Sequence, residues 1–493
     1  MGLFGNKQDD AQARAQQMID AGLIGGGPAP GAAPAKPKAP RFSIGKFEIP
    51  HKFEHRGFLL SGAPGTGKSV LITTMLDVLV PRGDSGFIAD RSGIYLSRYY
   101  NASRDIVLNP LDARAVDWSP LAEFEREDNY TAQTIAQSII PEGSGEAQQW
   151  NTGAQTLLTA ILEHCYDNSL TNAEILRLAL RAPVEELREV FEGKAAEAQV
   201  AEGNERMFGS LRAIVAAYIQ PFQRLAPGAG RTSFSIKDHV RSGHQGWLFF
   251  NYTTPQMLPL RRVICTVSDI WCEAVMSLPP DETRRQWLIL DEFSSLGRIN
   301  GIANFVANAR KHGGCSVLGV QSVYQGFDEY TENTFLGMLS SLNSQVILRT
   351  ADGKTAEYLS KNLGNERKQR WVRNFSASNS ASHSGDSSSE SSSRSEQHVI
   401  EQKFLEGELL TLPDRVAVLK LPGDLPADMV GLELPAQREP VAAPFEPRPQ
   451  AAKLPAGDAA AAFAAVKREH TPAASRQTEP VREVAGLDDL QNV

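Results

Sequence analysis

The 493 residues carry a formal net charge of −8, 41% hydrophobic and 22% charged residues, and four cysteines, Cys165, Cys265, Cys272 and Cys315, with no CxxC pair. A chain of this length builds two or three domains with a sizeable core, and its acidity excludes a surface that is basic all over for duplex DNA, leaving room only for a local basic groove or pore. Scattered cysteines read as idle thiols of a reducing compartment, and no window approaches the 18 consecutive apolar residues of a membrane span or the basic-then-apolar pattern of a secretory signal.

Residues 1–41 end in a run rich in Ala, Gly, Pro and Lys, which cannot build a core and predicts a flexible leader. Ala11–Ile24 is weakly amphipathic and could dock to a partner, although an unstructured tail is the simpler reading. Structure is expected to begin near Arg41-Phe42. Strand-like runs bounded by turn residues follow at Arg56–Ser61, Gly86–Asp90, Asp105–Leu108, Gly246–Asn251, Trp287–Leu290, Ser316–Val320, Ser344–Leu348 and Arg415–Leu421. Several are nearly continuous apolar stretches, the pattern of parallel strands buried on both faces with helices between them.

The first of these strands enters Gly62-Ala63-Pro64-Gly65-Thr66-Gly67-Lys68-Ser69, a complete G-x-x-x-x-G-K-[ST], and Val70–Val78 leaves it with helical spacing. Glycines let such a loop curl until successive N–H groups point at phosphate oxygens, at the positive end of the next helix. Residues 62–70 are therefore the candidate nucleotide-binding residues. Lys68 is placed over the β- and γ-phosphates, and the Ser69 hydroxyl in the shell of a Mg²⁺ ion. The cofactors implied are ATP and Mg²⁺.

Residues 119–239 read differently. In Ala147–Tyr166 the apolar positions Trp150, Ala154, Leu157, Leu158, Ile161, Leu162 and Cys165 follow helical spacing. Thr171 with Glu174 fits a capping box, and Glu205–Leu225 is again apolar-periodic. The stretch predicts an all-α domain inserted between two parts, 42–118 and 240–435, of a nucleotide-binding domain. The expected fold class is α/β, a P-loop RecA-like domain with a central, mostly parallel sheet plus that insertion.

Trp287-Leu288-Ile289-Leu290-Asp291-Glu292 is a buried strand ending in two acids. Such an ending is common alone; paired with the phosphate loop it points to Asp291 as the Mg²⁺ ligand and Glu292 as the general base that polarises the attacking water. Gln321 follows the next apolar strand and is placed to touch a γ-phosphate. Arg56, just before the loop's strand, and Arg310, in Ala309-Arg310-Lys311-His312, could stabilise transition-state charge across a subunit boundary. Spacing alone also fits ordinary solvated arginines. Arg261-Arg262, Arg284-Arg285 and the run from Arg367 to Arg373 supply cations for nucleic acid, yet each is more often a solvated face.

Residues 376–396 hold 12 serines in 21 positions and predict a solvated, mobile loop. From 436 to 493 a Pro/Ala-rich tail is expected to be disordered, apart from a short helix around Ala459–Lys467.

Taken together these motifs resemble the cytoplasmic part of the type IV coupling proteins, the TraD/TraG-like branch of the FtsK/HerA motors. Lys68 and Asp291 are 223 positions apart with a helical insertion between them. Ile44–Pro50 with Glu54–Phe58 is similar to the family's lead-in to its phosphate loop. Ile106–Asp112 is similar to its Asn-Pro segment, Leu290–Leu296 to its acid strand, and Ala309–Gly314 with Gly319–Ser322 to its arginine and glutamine motifs. The likeness covers about residues 42 to 435. It implies an ATPase working as a homo-hexamer, with Arg56, Arg310 and Gln321 among its catalytic positions. It also implies partners: single-stranded DNA, a relaxase and the components of a type IV channel at the bacterial inner membrane. The family's usual pair of N-terminal transmembrane helices has no counterpart here, which implies a cytoplasmic chain held at the membrane by a separate anchor protein. Asp90-Arg91-Ser92-Gly93 departs from the family's Asp-Pro with a further acid. A duplex-DNA pump and a nucleotide-gated adaptor with little hydrolysis are the alternatives.

Overall fold

The computed structural model describes residues 39–125, 130–143, 145–382, 385–423 and 425–449. The expected helix at Ala459–Lys467 and the amphipathic stretch Ala11–Ile24 lie outside them. A short hairpin, β1 (Ser43–Ile44) and β2 (Phe47–Glu48), turns at Gly45, whose φ of 57° suits a residue without Cβ. The chain then contributes β3 (Phe58–Ser61), β4 (Ser85–Arg91), β5 (Ile106–Val107), β6 (Trp247–Tyr252), β7 (Gln286–Leu290), β8 (Gly314–Val320) and β9 (Ser344–Ile347). After a separate hairpin of β10 (Asn365–Ser382) and β11 (Gly385–Gln402) come β12 (Val416–Lys420) and β13 (Asp428–Gly431).

One sheet orders nine of these strands β13-β12-β9-β3-β8-β7-β4-β6-β5. All neighbouring pairs from β9 to β5 are parallel, and β12 pairs antiparallel with both β9 and β13. This is the expected α/β sheet, and each of the eight predicted strands has its counterpart. Every residue of β3, β7, β8 and β9 is buried, as it must be when helices cover both faces. On one face Leu71, Ile72, Met75 and Leu76 of helix Lys68–Arg82 pack with Tyr95 and Leu96 against Phe58, Leu60, Ile88 and Ile289. The other face meets the long helix Thr254–Met276, and its core runs without a break into the helices that lie between β5 and β6. All four cysteines are buried and free.

Helix Glu146–Asp167 forms where the periodicity places it, with Leu157, Leu158, Ile161 and Leu162 buried. Two details differ from expectation. Trp150 is 42% exposed rather than part of the buried stripe. Thr171 does precede helix Asn172–Leu180, but its side chain makes no capping hydrogen bond, and Glu174 pairs with Arg177 instead.

The described residues of the serine-rich stretch, 376–382 and 385–396, do not form a loop. They form the outer part of β10 and β11, paired in unbroken antiparallel register from Asn365↔Gln402 to Ser382↔Gly385. A backbone ladder needs no apolar stripe, so composition gave no sign of it. The tail is likewise ordered up to residue 449. Its backbone docks as an extended strap: the N–H groups of Val441 and Arg448 donate to Ser97 and Leu111 at 2.7 Å, and Ala113 N–H donates to Glu446 at 2.7 Å. An extended Pro-rich chain builds no core of its own, yet its peptide groups find partners on a preformed surface.

A buried ion network closes the edge of the sheet where β3 begins. Glu54, fully buried, accepts from Arg82 Nη1 at 2.8 Å and Arg285 Nε at 2.6 Å, and Arg82 also binds Asp84. Burial raises the Glu54 carboxyl, but the two guanidinium groups outweigh it and hold it below its ordinary value of 4.5. Glu54→Gln should cost about 3–5 kcal/mol of unfolding free energy at pH 7, because two partly buried guanidinium groups lose the buried carboxylate they share. A carboxylate depressed in the fold stabilises above its unfolded pKa and loses that contribution as pH falls through its folded one. Urea titrations of both proteins should therefore converge as pH is lowered below 4.5.

Candidate active site

Strand register brings the motifs together. β3 and β8 align Ser61 with Val320, and β7 and β8 align Leu290 with Leu318. The residues that follow these strands, the loop from Gly62, Asp291-Glu292 and Gln321, therefore emerge at one sheet edge. β8 lies between the loop's strand and the acid strand. Gly319 permits the close approach: a Cβ there would stand 1.9 Å from the Asp291 carbonyl oxygen.

The loop is tied to its neighbours by Gly62 N–H donating to Val320 at 3.1 Å and Ala63 N–H to Arg349 at 2.8 Å. Gly65 and Gly67 take φ of 78° and 126°, and space opens beside Gly65, where a Cβ would meet nothing within 4 Å. Lys68 turns its ammonium back onto the loop, donating to the carbonyls of Gly62 and, at 3.3 Å, Ala63. Burial pulls this lysine below its ordinary pKa, while Asp291 and Glu292 act in the opposite direction. A buried cation resting on carbonyls at a helix N-terminus fits an anionic phosphate group.

Asp291 is buried, and its Oδ2 accepts from Ser69 Oγ at 3.1 Å and from Tyr95 Oη at 2.7 Å. Burial pushes its carboxyl up, opposed by those two hydrogen bonds and by Lys68. A hydroxyl and a carboxylate oxygen side by side are a donor set for a hard cation such as Mg²⁺. No cluster of three or more His, Cys, Asp or Glu occurs among the described residues, so a cation here would take its other ligands from phosphate and water. Tyr95 was not singled out in the sequence; no motif marks it, and only the fold brings its helix Ile94–Tyr99 over the acid strand.

Glu292 is engaged on both oxygens. Gln321 Nε2 donates to Oε1 at 2.5 Å, and Arg91 Nη1 pairs with Oε2. Asp90, the neighbour of Arg91, is buried; burial raises its carboxyl to about 8, against the Leu96 N–H that donates to it at 2.7 Å.

Arg56 and Arg310 lie elsewhere. Arg56 precedes β3 and Arg310 precedes β8, so both stand at the opposite sheet edge, with the whole of β3, about 13 Å of strand, between Arg56 and the loop. The Arg56 guanidinium sits over Phe53, with Nε buried and unpaired among the described residues. Arg310 is half-exposed and faces Glu282 at 3.7 Å. Neither can reach a nucleotide bound to the same chain. Of the basic clusters, Arg261 pairs with Glu329, Arg262 lies over Tyr218, and Arg285 belongs to the Glu54 network, so these are engaged within the fold. In the run at the base of the hairpin, Lys368 and Arg370 face Glu401.

Comparison with known proteins places this arrangement. A family model of the type IV secretion-system coupling protein DNA-binding domain matches residues 41–433. Coupling protein TraD of Escherichia coli strain K12 is 28% identical over 416 residues, covering 82% of this chain and 56% of TraD. Protein VirD4 of Rhizobium rhizogenes is 25% identical over 294 residues, 54% of this chain and 43% of VirD4. The chain thus spans about half the length of the curated relatives it matches. The unbound bacterial conjugative coupling protein TrwBdeltaN70 superposes with a TM-score of 0.73 at 28% identity, covering 84% of this chain and 92% of that one. TrwB in complex with ADP and Mg²⁺ gives 0.72 at 28% identity, over 83% and 92%. The chain belongs to the type IV secretion-system coupling protein family.

Proposed function

We propose that this chain is an ATPase motor that takes a relaxase–DNA substrate and drives single-stranded DNA into a type IV channel at the bacterial inner membrane. The observation that carries the reading is the convergence, at one sheet edge, of the phosphate loop, the Ser69–Asp291 pair and the Glu292–Gln321 pair. Structures of TrwB with ADP and Mg²⁺ and with non-hydrolysable analogues of ATP and GTP support it.

In this reading the loop N–H groups from Gly62 to Val70 and the Lys68 ammonium hold the phosphates, and Ser69 and Asp291 hold Mg²⁺, which neutralises charge developing on the phosphate oxygens. Glu292 takes the proton of the attacking water as the oxygen–phosphorus bond forms and the β–γ bridging bond breaks, leaving ADP and phosphate. Gln321, hydrogen-bonded to Glu292, reports whether the γ-phosphate is present. Arg310 and Arg56 act on the nucleotide of a neighbouring copy in a hexameric ring. Residues 119–239 form the all-α domain that receives the substrate, between the two parts of the nucleotide-binding domain. No helix among the described residues is long and apolar enough to cross a membrane.

Steady-state ATP hydrolysis by the full chain, with and without single-stranded DNA, tests this. Turnover stimulated by DNA is expected. Tight ATP binding with no turnover in either condition would overturn the motor and leave the nucleotide-gated adaptor. One observation favours that second reading, namely that both oxygens of Glu292 are already occupied.

A further inference from the structure

We propose that Arg91 is an intramolecular switch between two partners, the Glu292 carboxylate with which it pairs and the γ-phosphate of an ATP held by the loop. The proposal rests on the nucleotide-site reading above. Arg91 ends β4, adjacent to the acid strand β7, and its side chain remains about one-third exposed (32%) while Glu292 is nearly covered (14%). Its charge also acts on the Lys68 ammonium, so it stands within electrostatic reach of the group proposed to hold the terminal phosphates.

The backbone around Arg91 is pinned, so that a switch would be confined to its side chain. Ser92 takes a φ of 72°, rare for a residue with Cβ, and its N–H donates to the Tyr252 carbonyl at 2.7 Å. Gly93 follows at φ 65°, and the strap lies against it so closely that a Cβ would stand 2.1 Å from the Pro444 oxygen. Pro444 itself accepts from Asn251 Nδ2 at 2.9 Å. A polar group lies beside the pair. Tyr252 is the registered neighbour of Arg91 across β4 and β6, and its hydroxyl is buried without a hydrogen-bond partner among the described residues.

Electrostatics set the direction of transfer. A carboxylate offers one negative charge, whereas a terminal phosphate offers more and presents oxygens that a guanidinium fork can grip in pairs. Filling the loop would therefore draw Arg91 away and free one oxygen of Glu292 to take a proton. Arg91 would both favour ATP over ADP and keep the base covered in its absence.

The test is calorimetric binding of ADP and of a non-hydrolysable ATP analogue, each with Mg²⁺, to the full chain and its variants. Arg91→Ala should weaken the analogue about tenfold, the phosphate contact net of the pair given up, and leave ADP unchanged. Arg91→Lys should fall between. Glu292→Gln, which removes the competing carboxylate, should tighten the analogue, and Arg91→Ala in that background should lose the gain. Equal weakening of both nucleotides would mark Arg91 as merely structural, and no change in either would mark the pair as incidental; each overturns the switch. Absence of binding by the unmodified chain, or binding that survives Lys68→Ala, would instead overturn the nucleotide-site reading and the switch with it, an outcome distinct from a failure confined to Arg91.

Discussion

Glu292→Gln should reduce ATP turnover by about 10²-fold or more while nucleotide binding persists. The substitution keeps size and shape but removes the basic oxygen that would take the proton from water. The binding groups are separate: Lys68 rests on the loop, and Asp291 is held by Ser69 and Tyr95. Steady-state hydrolysis with Mg²⁺ and single-stranded DNA, alongside equilibrium binding, measures both halves of the prediction. Turnover within tenfold of the unmodified chain would remove Glu292 from the base's role. Loss of binding in parallel would mean that the carboxylate is needed to shape the site rather than to act in the reaction.

The parts of this site that were legible in the sequence are those where chemistry imposes a local pattern. Gly65 and Gly67 announce a loop because only glycine takes their φ without strain, and four apolar residues before Asp291 announce a strand buried on both faces. What stayed hidden depends on groups far apart in the chain. Tyr95 reaches Asp291 across 196 positions and Arg91 reaches Glu292 across 201, so neither pairing leaves a periodic trace. Arg91 registered only as a departure from the family's pattern; its meaning came with its partner. Sequence also misjudged elements whose order depends on partners outside their own stretch. The serine-rich hairpin is paired by peptide hydrogen bonds, and the strap to residue 449 is held by its peptide groups together with distant side chains such as Asn251 and Arg114, none of which local composition reports.

Arg310→Ala should lower turnover by about 10³-fold or more, with ATP binding retained, and the defect should be rescued from another subunit. Strand polarity dictates the second half. The phosphate loop follows the C-terminal end of β3, while Arg310 precedes the N-terminal end of the adjacent parallel strand β8, so the two occupy opposite edges of one sheet. Within a single chain no side-chain rotation closes that gap. Arg310 suits a role toward a neighbour, since its side chain is half-exposed (52%) and its one ion pair among the described residues is with Glu282 at 3.7 Å. Arg56, stacked on Phe53 with a buried Nε, is less free to extend. The decisive experiment mixes two inactive proteins, Arg310→Ala and Glu292→Gln, and assays hydrolysis with single-stranded DNA. Wherever an Arg310→Ala subunit supplies the intact Glu292 and its neighbour supplies the intact arginine, one competent interface forms, so the mixture should recover turnover that neither variant has alone. If Arg310 instead acted through its own subunit, no mixing ratio would restore any.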